Sequence, residues 1–183
     1  ICVNMAGFVH LHLHSEYSLL DGACRVRDIP VVAKRMGHTA VALTDHGVMY
    51  GVIEFYRACV EQGIKPIIGC EVYVAPNTRF EKQALRDSTS AYHLVLLCKN
   101  KTGYKNLMYL VSRGFIDGFY NRPRIDMELL SSHCEGLVAL SACLAGYIPR
   151  AISAGNFTGA REFALKMKEM FGEDGFYLEL QDH

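Results

Sequence analysis

Histidine recurs at every second position in Phe8-Val9-His10-Leu11-His12-Leu13-His14-Ser15. Strand side chains alternate between faces, so this run predicts a β-strand with Phe8, His10, His12 and His14 on one face and Val9, Leu11 and Leu13 on the other. A row of imidazoles makes poor core material, because each buried ring nitrogen needs a partner. Neutral imidazole is the commonest metal ligand, so a metal ion is the partner this face suits. The plain alternative is a polar strand face turned to water. Further donors lie along the chain: His46 and His93 offer nitrogen, Asp21 and Glu71 oxygen, and Cys143 a thiolate. Mixed N and O ligands suit Zn²⁺, Mn²⁺ or Fe²⁺, and sulfur tilts one position toward zinc. His12, His14, Asp21, His46, Glu71, His93 and Cys143 exceed what one tetrahedral ion needs, and carboxylates can bridge, so more than one ion fits the set. Ions a few ångströms apart suit phosphoester hydrolysis: they acidify a bridging water and stabilise the attacking and leaving oxygens.

These donors meet only if the intervening elements bring strand ends together. After the first strand, a loop over 15–27 carries Asp21-Gly22; Asp28 caps a helix that tolerates Pro30 in its first turn and ends at Gly37. The apolar run 39–44 predicts a buried strand delivering Asp45-His46-Gly47 at its C-terminal end. Val52, Tyr56, Cys59 and Val60 at helical spacing predict a helix within 49–62, stopped by Gly63. A strand over 64–74 follows, carrying Glu71, with a bend at Gly69. The polar stretch 76–91 lacks periodicity and predicts an exposed, mobile loop. Next come a strand over 92–98 carrying His93, a helix from a Thr102 cap to Gly114, and a strand over 136–141 running into Cys143. Helices at about 147–154 and 158–171 precede a sixth strand starting at Phe176. Such alternation argues for an α/β fold with a largely parallel sheet. A barrel explains more than an open sheet, because it gathers strand-end residues around one mouth. His93 alone sits at the start of its strand, so that strand is antiparallel or its boundary is misread.

Lys plus Arg and Asp plus Glu each number 19 among 183 residues. That balance argues against a domain whose main task is gripping duplex DNA by counterion release, while leaving room for a local basic groove. The best such patch is the aromatic and basic stretch Phe115 to Asp126; the alternative is a packed loop with two solvated arginines. The seven cysteines show no Cys-x-x-Cys pair and read as reduced cytosolic thiols. No long uncharged apolar run and no cleavable leader stand out, so a soluble, cytoplasmic chain without a membrane segment is expected. Residues 1–4 read as upstream or tag residues before Met5, and 5–183 as one domain.

The stretches 8–22, Leu-Thr-Asp-His-Gly (43–47) and Ile-Lys-Pro-Ile-Ile-Gly-Cys-Glu (64–71) resemble the PHP domain, named for polymerases and histidinol phosphatase. Tyr-His-Leu-Val-Leu-Leu (92–97), Gly-Tyr-Lys-Asn-Leu (103–107), Arg-Pro-Arg-Ile-Asp (122–126) and Leu-Ser-Ala-Cys-Leu-Ala-Gly (140–146) narrow the resemblance to the PHP domains at the N-terminus of bacterial DNA polymerase III alpha subunits. The resemblance implies a distorted seven-stranded β/α barrel whose mouth binds up to three ions, Zn²⁺ and/or Mn²⁺. It matches His12 and His14 to the paired histidines, Asp21 to the loop carboxylate, His46 to the second-motif histidine, Glu71 to a bridging carboxylate, and His93 and Cys143 to later ligands. Asp21 and Glu71 are then the carboxylates that bridge or activate. The family's final Asp-x-His is absent, since Asp182-His183 has the wrong spacing, so the domain is expected to be truncated before its last strand. The short 76–91 loop lacks the exonuclease insertion of the related Gram-positive class. Asp45 is expected to orient His46, and His10 to be a hydrogen-bonded barrel residue, not a ligand.

The implied function is that of a replicative polymerase subunit, with the polymerase centre elsewhere in the longer chain. The domain's own metal site would serve 3′–5′ exonuclease proofreading. Its expected partners are the rest of the alpha chain, a primer-template or single-stranded 3′ end, and other replisome subunits. The alternatives are a catalytically silent, metal-stabilised module supporting the polymerase, and a free-standing PHP phosphatase.

Overall fold

The computed structural model describes residues 7–82 and 91–181. The expectations for the start at Met5, for 83–90 and for Asp182-His183 lie outside the described residues. The elements run α1 (Asp28–Arg35), β1 (Ala40–Leu43), α2 (Val52–Gln62), β2 (Lys65–Val74), β3 (Tyr92–Cys98), α3 (Lys101–Ile116), β4 (Arg124–Ile125), α4 (Met127–Ser132), β5 (Leu137–Leu140), α5 (Tyr147–Ser153), α6 (Phe157–Phe171) and β6 (Phe176–Tyr177). They form a mixed α/β fold around one six-stranded sheet, ordered β1-β2-β3-β5-β6 with β4 on the far part of β2. β1 and β4 run parallel to β2, and β6 to β5. β3 is antiparallel to both of its neighbours. That settles the place of His93: the start of an antiparallel β3 lies where β2 finishes, with His93 opposite Tyr73.

Apolar side chains from both faces of the sheet are buried. Leu94 and Leu96 point to the helical side with Val72, Leu107, Leu110, Leu130 and Met167. Val95 and Leu97 point the other way, with Ala42, Leu140 and Ala142. Burial on both faces is why 94–97 reads as a continuous apolar run without alternation. Val26, Ile29, Ala33, Phe55 and Cys59 hold α1 and α2 against Val41 and Leu43 of β1. Three helix boundaries differ from expectation. Asp28 does not cap α1 but is its first residue, behind Arg27, where its negative charge suits the helix N-terminus. Asn100, not Thr102, caps α3 by accepting from the Gly103 N–H at 3.0 Å. Gly114 does not end that helix; it is buried inside it, facing Pro123 and Arg124.

The expected first strand is replaced by an irregular extended segment. It meets β1 through two backbone bonds, Ala42 N–H to His10 O and Thr44 N–H to Leu13 O, both 2.9 Å. The three residues 42–44 thus span four of the segment, 10–13, one more than a regular ladder allows, and the surplus acts as a β-bulge does. It reverses the facing of the side chains after His10. Leu13 packs with the α1–α2 core, and the His10 ring sits against Phe8 and His38. His12 and His14 turn to the opposite side. Period two alone had placed His10 with them, and the extra residue is the reason it is not. Thr44 fixes this offset by accepting from Leu13 N–H at 2.8 Å while its hydroxyl donates to Leu13 O at 3.1 Å. At the other end of the sheet, the β6 ladder stops at Tyr177, short of the expected strand to Leu180.

Residues 76–82, expected to be loose, are tied down. Asp126 accepts from the Arg79 backbone N–H and guanidinium at 2.9 Å, and caps α4 by accepting from Leu129 N–H at 2.9 Å. Burial alone would raise the Asp126 pKa, but these bonds outweigh it and hold the carboxyl below its ordinary range. Arg124 donates to the carbonyls of Arg79, Glu81 and Gly118. Asp126→Ala removes a helix cap and takes the nearer carboxylate from a largely buried guanidinium, leaving it Asp117 at 3.7 Å, so it is expected to cost ~2–4 kcal/mol, read from the urea midpoint. A cost below ~1 kcal/mol would show that 76–82 is not anchored there.

Candidate metal centre

Glu71 lies near the end of β2, where residues 72 and 74 feed the core and 71 and 73 face the other way. Its carboxylate is fully buried. Oε2 lies 3.2 Å from His12 Nε2, 3.0 Å from His14 Nε2 and 3.1 Å from His46 Nδ1. Oε1 lies 2.7 Å from His93 Nδ1 and 3.7 Å from Cys143 Sγ, and that sulfur is 3.7 Å from His93 Nδ1. Asp21 Oδ2 stands 2.9 Å from His46 Nε2 at the open side of the cluster. All seven donors singled out in the sequence therefore meet. Three groups have ligand atoms within 4.8 Å of one another: His12, His14 and Glu71; His14, Asp21 and His46; and His46, Glu71 and His93.

Each imidazole is aimed by a neighbour. The β1–β2 pairing continues past β1 through Glu71 N–H to Asp45 O and Gly47 N–H to Glu71 O, which sets His46 beside Glu71. Buried Asp45 accepts from Ser15 N–H and Ser18 Oγ at 2.6 Å, and from Ser15 Oγ at 2.8 Å. It does not hold the His46 ring, as expected, but the loop carrying His14. Having donated to Asp45, the Ser18 hydroxyl accepts from His46 N–H at 3.1 Å and from His14 Nδ1–H at 3.2 Å. That bond leaves the His14 Nε2 lone pair facing Glu71. Glu179 does the same for His12, with Oε1 2.7 Å from Nδ1. Gly22 lets this loop close, since a Cβ there would lie 1.9 Å from Ser15 O. Ala142, at φ 62°, turns the chain out of β5 toward Cys143, a local strain of the kind that gathers at functional sites.

Ser18 and Glu179 escaped the sequence reading. A lone serine in a loop carries no spacing signal. Glu179 falls in the expected sixth strand with nothing to link it to the histidines, since the His12 contact spans 167 positions.

The electrostatics fit a cation. Glu71 Oε2 and His46 Nδ1 are buried without a hydrogen-bond partner. Burial raises the Glu71 pKa, but the surrounding imidazoles of His12, His14 and His93 outweigh it and hold the carboxylate far below its usual range. Burial depresses His12, yet bonds to Glu179 and Glu71 lift it to about 10. Burial also depresses His93, and Cys143 and Glu71 lift it to about 9. His46 is lowered by its burial. A divalent ion would take up the unpartnered oxygen and nitrogen and replace the protons on His12 and His93.

Metal and protons thus compete for two rings. In the metal-free chain, stability from these raised pKa values is complete below the ordinary histidine value and is lost as pH rises through about 9 and 10. Mn²⁺ affinity is expected to rise over the same interval, with release of about two protons per chain near neutral pH, read by a pH indicator in weak buffer. Release of none would contradict the protonation of these rings. Glu179→Ala is expected to weaken metal binding ~10–100-fold, measured by competition with a chelating dye. An unchanged affinity would reduce Glu179 to packing.

Comparison with known proteins gives the family. The PHP domain family matches residues 10–183. The DNA polymerase III alpha subunit of Treponema pallidum is 50% identical over 176 residues, covering 96% of this chain and 15% of that protein. Those of Borreliella burgdorferi and Aquifex aeolicus are 50% and 44% identical, over 96% and 95% of this chain and 15% of each protein. The chain thus spans about 15% of the length of these relatives. Among solved structures, one described as a metal-dependent phosphoesterase from Bifidobacterium adolescentis matches with TM-score 0.43 and 20% identity over 60% of this chain and 33% of that one. With the family matched across nearly its whole length, the chain belongs to the PHP domain family.

Proposed function

We propose that this chain is the PHP domain of a bacterial DNA polymerase III alpha subunit and that its metal centre hydrolyses phosphoester bonds at a DNA 3′ end. The polymerase assignment is supported by 50% identity to alpha subunits over 96% of the chain. The observation that carries the hydrolytic reading is the division of the Glu71 carboxylate: Oε2 faces three imidazoles, while Oε1 faces His93 and Cys143. That arrangement suits a carboxylate bridging two ions. His12, His14, Asp21, His46, Glu71, His93 and Cys143 would hold them, Zn²⁺ favoured near the thiol and Mn²⁺ suited to the oxygen- and nitrogen-rich side. When bound, such ions supply a water acidic at neutral pH and positive charge for the developing oxyanions. Asp21, its side chain 59% exposed, stands where substrate and water enter and can take the water's proton. Ser18 and Glu179 keep His14 and His12 aimed throughout.

In this reading the open groove of about 720 Å³ between residues 8–12 and Leu97, Val138, Leu140 and 178–181 belongs to the interior of a distorted seven-stranded barrel. The expected partners are the rest of the alpha chain, a single-stranded or primed 3′ end and other replisome subunits, in the cytoplasm. Among the described residues no helix is long and apolar enough to cross a membrane. A second reading, a silent structural module, is favoured by one observation: the cluster joins the opening segment, the β1 and β5 exits, β2, β3 and the chain after β6, so bound metal would brace all of them.

The two readings separate in one experiment on metal content and Mn²⁺-dependent shortening of a 5′-labelled primer. The native chain is expected to shorten the primer, and His12→Ala combined with His14→Ala to lose at least one bound ion and the activity. Full metal content without hydrolysis would favour the structural module. Unchanged stoichiometry in the double variant would overturn the ligand assignment.

A further inference from the structure

The fold treats the two arginines of Asn121-Arg122-Pro123-Arg124 in opposite ways. Arg124 is buried and spent on three backbone carbonyls. Arg122 is exposed, yet it is held in place. Its turn closes by a Tyr120–Arg122 bridge around Asn121 at φ 61°, and β4 pins the following residues to β2 with Arg124 opposite Tyr73. Pro123 packs so near the His46 loop that a Cβ on Gly47, itself at φ 64°, would lie 2.9 Å from its ring. Arg122 Nη1 donates to Tyr73 Oη at 2.8 Å, with Cζ 4.8 Å from the ring centre.

Tyr73 follows Glu71 by two residues on β2 and so shares its face. Its ring stacks on His46 at 5.9 Å and 11°, and meets His93 edge-on at 5.0 Å. His46 stacks in turn on His14 at 4.1 Å and 16°. Arg122 therefore stands at the outer end of a series running His14, His46, Tyr73, Arg122, on the rim of the metal centre with one aromatic ring between. Phe119, three residues before Arg122 in the chain, is 48% exposed and stacks on Phe115.

We propose that Arg122 binds a backbone phosphate of single-stranded DNA adjoining the phosphoester at the metal centre, an assignment that rests on the hydrolytic reading above. A guanidinium fork matches two phosphate oxygens at once. Holding one N–H on Tyr73 presets the side chain, so less conformational freedom is lost when the phosphate arrives. The width of Tyr73 separates Arg122 from the imidazoles, which suits the next phosphate along a strand. Exposed Phe119, three residues earlier in the chain, offers a face on which a base can stack, the usual companion of phosphate contacts to a single strand. With no net formal charge on the chain, attraction to DNA has to come from such a local site.

The test is fluorescence anisotropy of a short labelled oligothymidylate with the Mn²⁺-loaded chain, titrated with salt. Arg122→Gln is expected to weaken binding about tenfold and to lower the slope of log affinity against log salt by about 0.7, one single-strand phosphate contact. Metal content should match that of the native chain. Arg122→Lys is expected to keep the slope but lose affinity several-fold, because the fork is gone, and it carries the test if Arg122→Gln does not fold. Unchanged affinity in both variants, loss of bound metal in Arg122→Gln, or no oligonucleotide binding by the native chain would each overturn the assignment. Binding with the Arg122-dependent slope but without hydrolysis would support it while rejecting the reaction.

Discussion

A fully buried carboxylate surrounded by imidazoles is the constraint on which the rest of this structure depends. Glu71 is out of water, and an unpaired charge there would cost several kcal/mol. Its partners come from the opening segment, the β1 exit and β3, elements that meet only in the folded chain. Cys143, delivered from beyond β5, comes within reach of the same carboxylate. Many details of the fold can be traced to this demand: the antiparallel β3, the surplus residue before His12, the strained Ala142 and the close approach at Gly22. Each brings one donor into range or lets its loop close.

Around the cluster stands a second layer of polar residues. The Asp45–Ser15–Ser18 triad is buried and fully hydrogen-bonded, which is the condition for such a network to stabilise its surroundings. It fixes which nitrogen of His14 carries the proton, and Glu179 fixes His12 in the same way. Rings held in one orientation keep their inner nitrogens turned toward Glu71, so that an arriving ion would meet them in place. The same layer would tie metal binding to folding, since releasing any of these bonds loosens the loops that carry the imidazoles.

The donors were legible in the sequence because their types are unusual for apolar runs. An acid in Ile-Gly-Cys-Glu-Val-Tyr-Val and a histidine in Tyr-His-Leu-Val-Leu-Leu cannot both be idle core. Their convergence was legible only by placing strand ends around one mouth and through the PHP resemblance. The first strand misled because alternation in the sequence says nothing of a surplus residue in the pairing, and that residue separated His10 from His12. The two-residue β4 and the short α4 went unseen because neither is long enough to show a period. Their anchor, Arg79 on Asp126, joins residues 47 positions apart. Arg122 and Arg124 look alike in the sequence, and only the burial of one and the exposure of the other distinguishes them.

The central proposal is that the buried Glu71 carboxylate, kept charged by the imidazoles around it, is the group on which divalent metal binding depends. Glu71→Gln keeps the shape and removes the charge, so metal content and thermal midpoint of this variant test the claim most directly. The account predicts a variant largely free of metal, with a midpoint below that of the native chain even after exhaustive chelation and insensitive to added Mn²⁺. Native metal stoichiometry in Glu71→Gln, with a midpoint that still rises on metal addition, would contradict it.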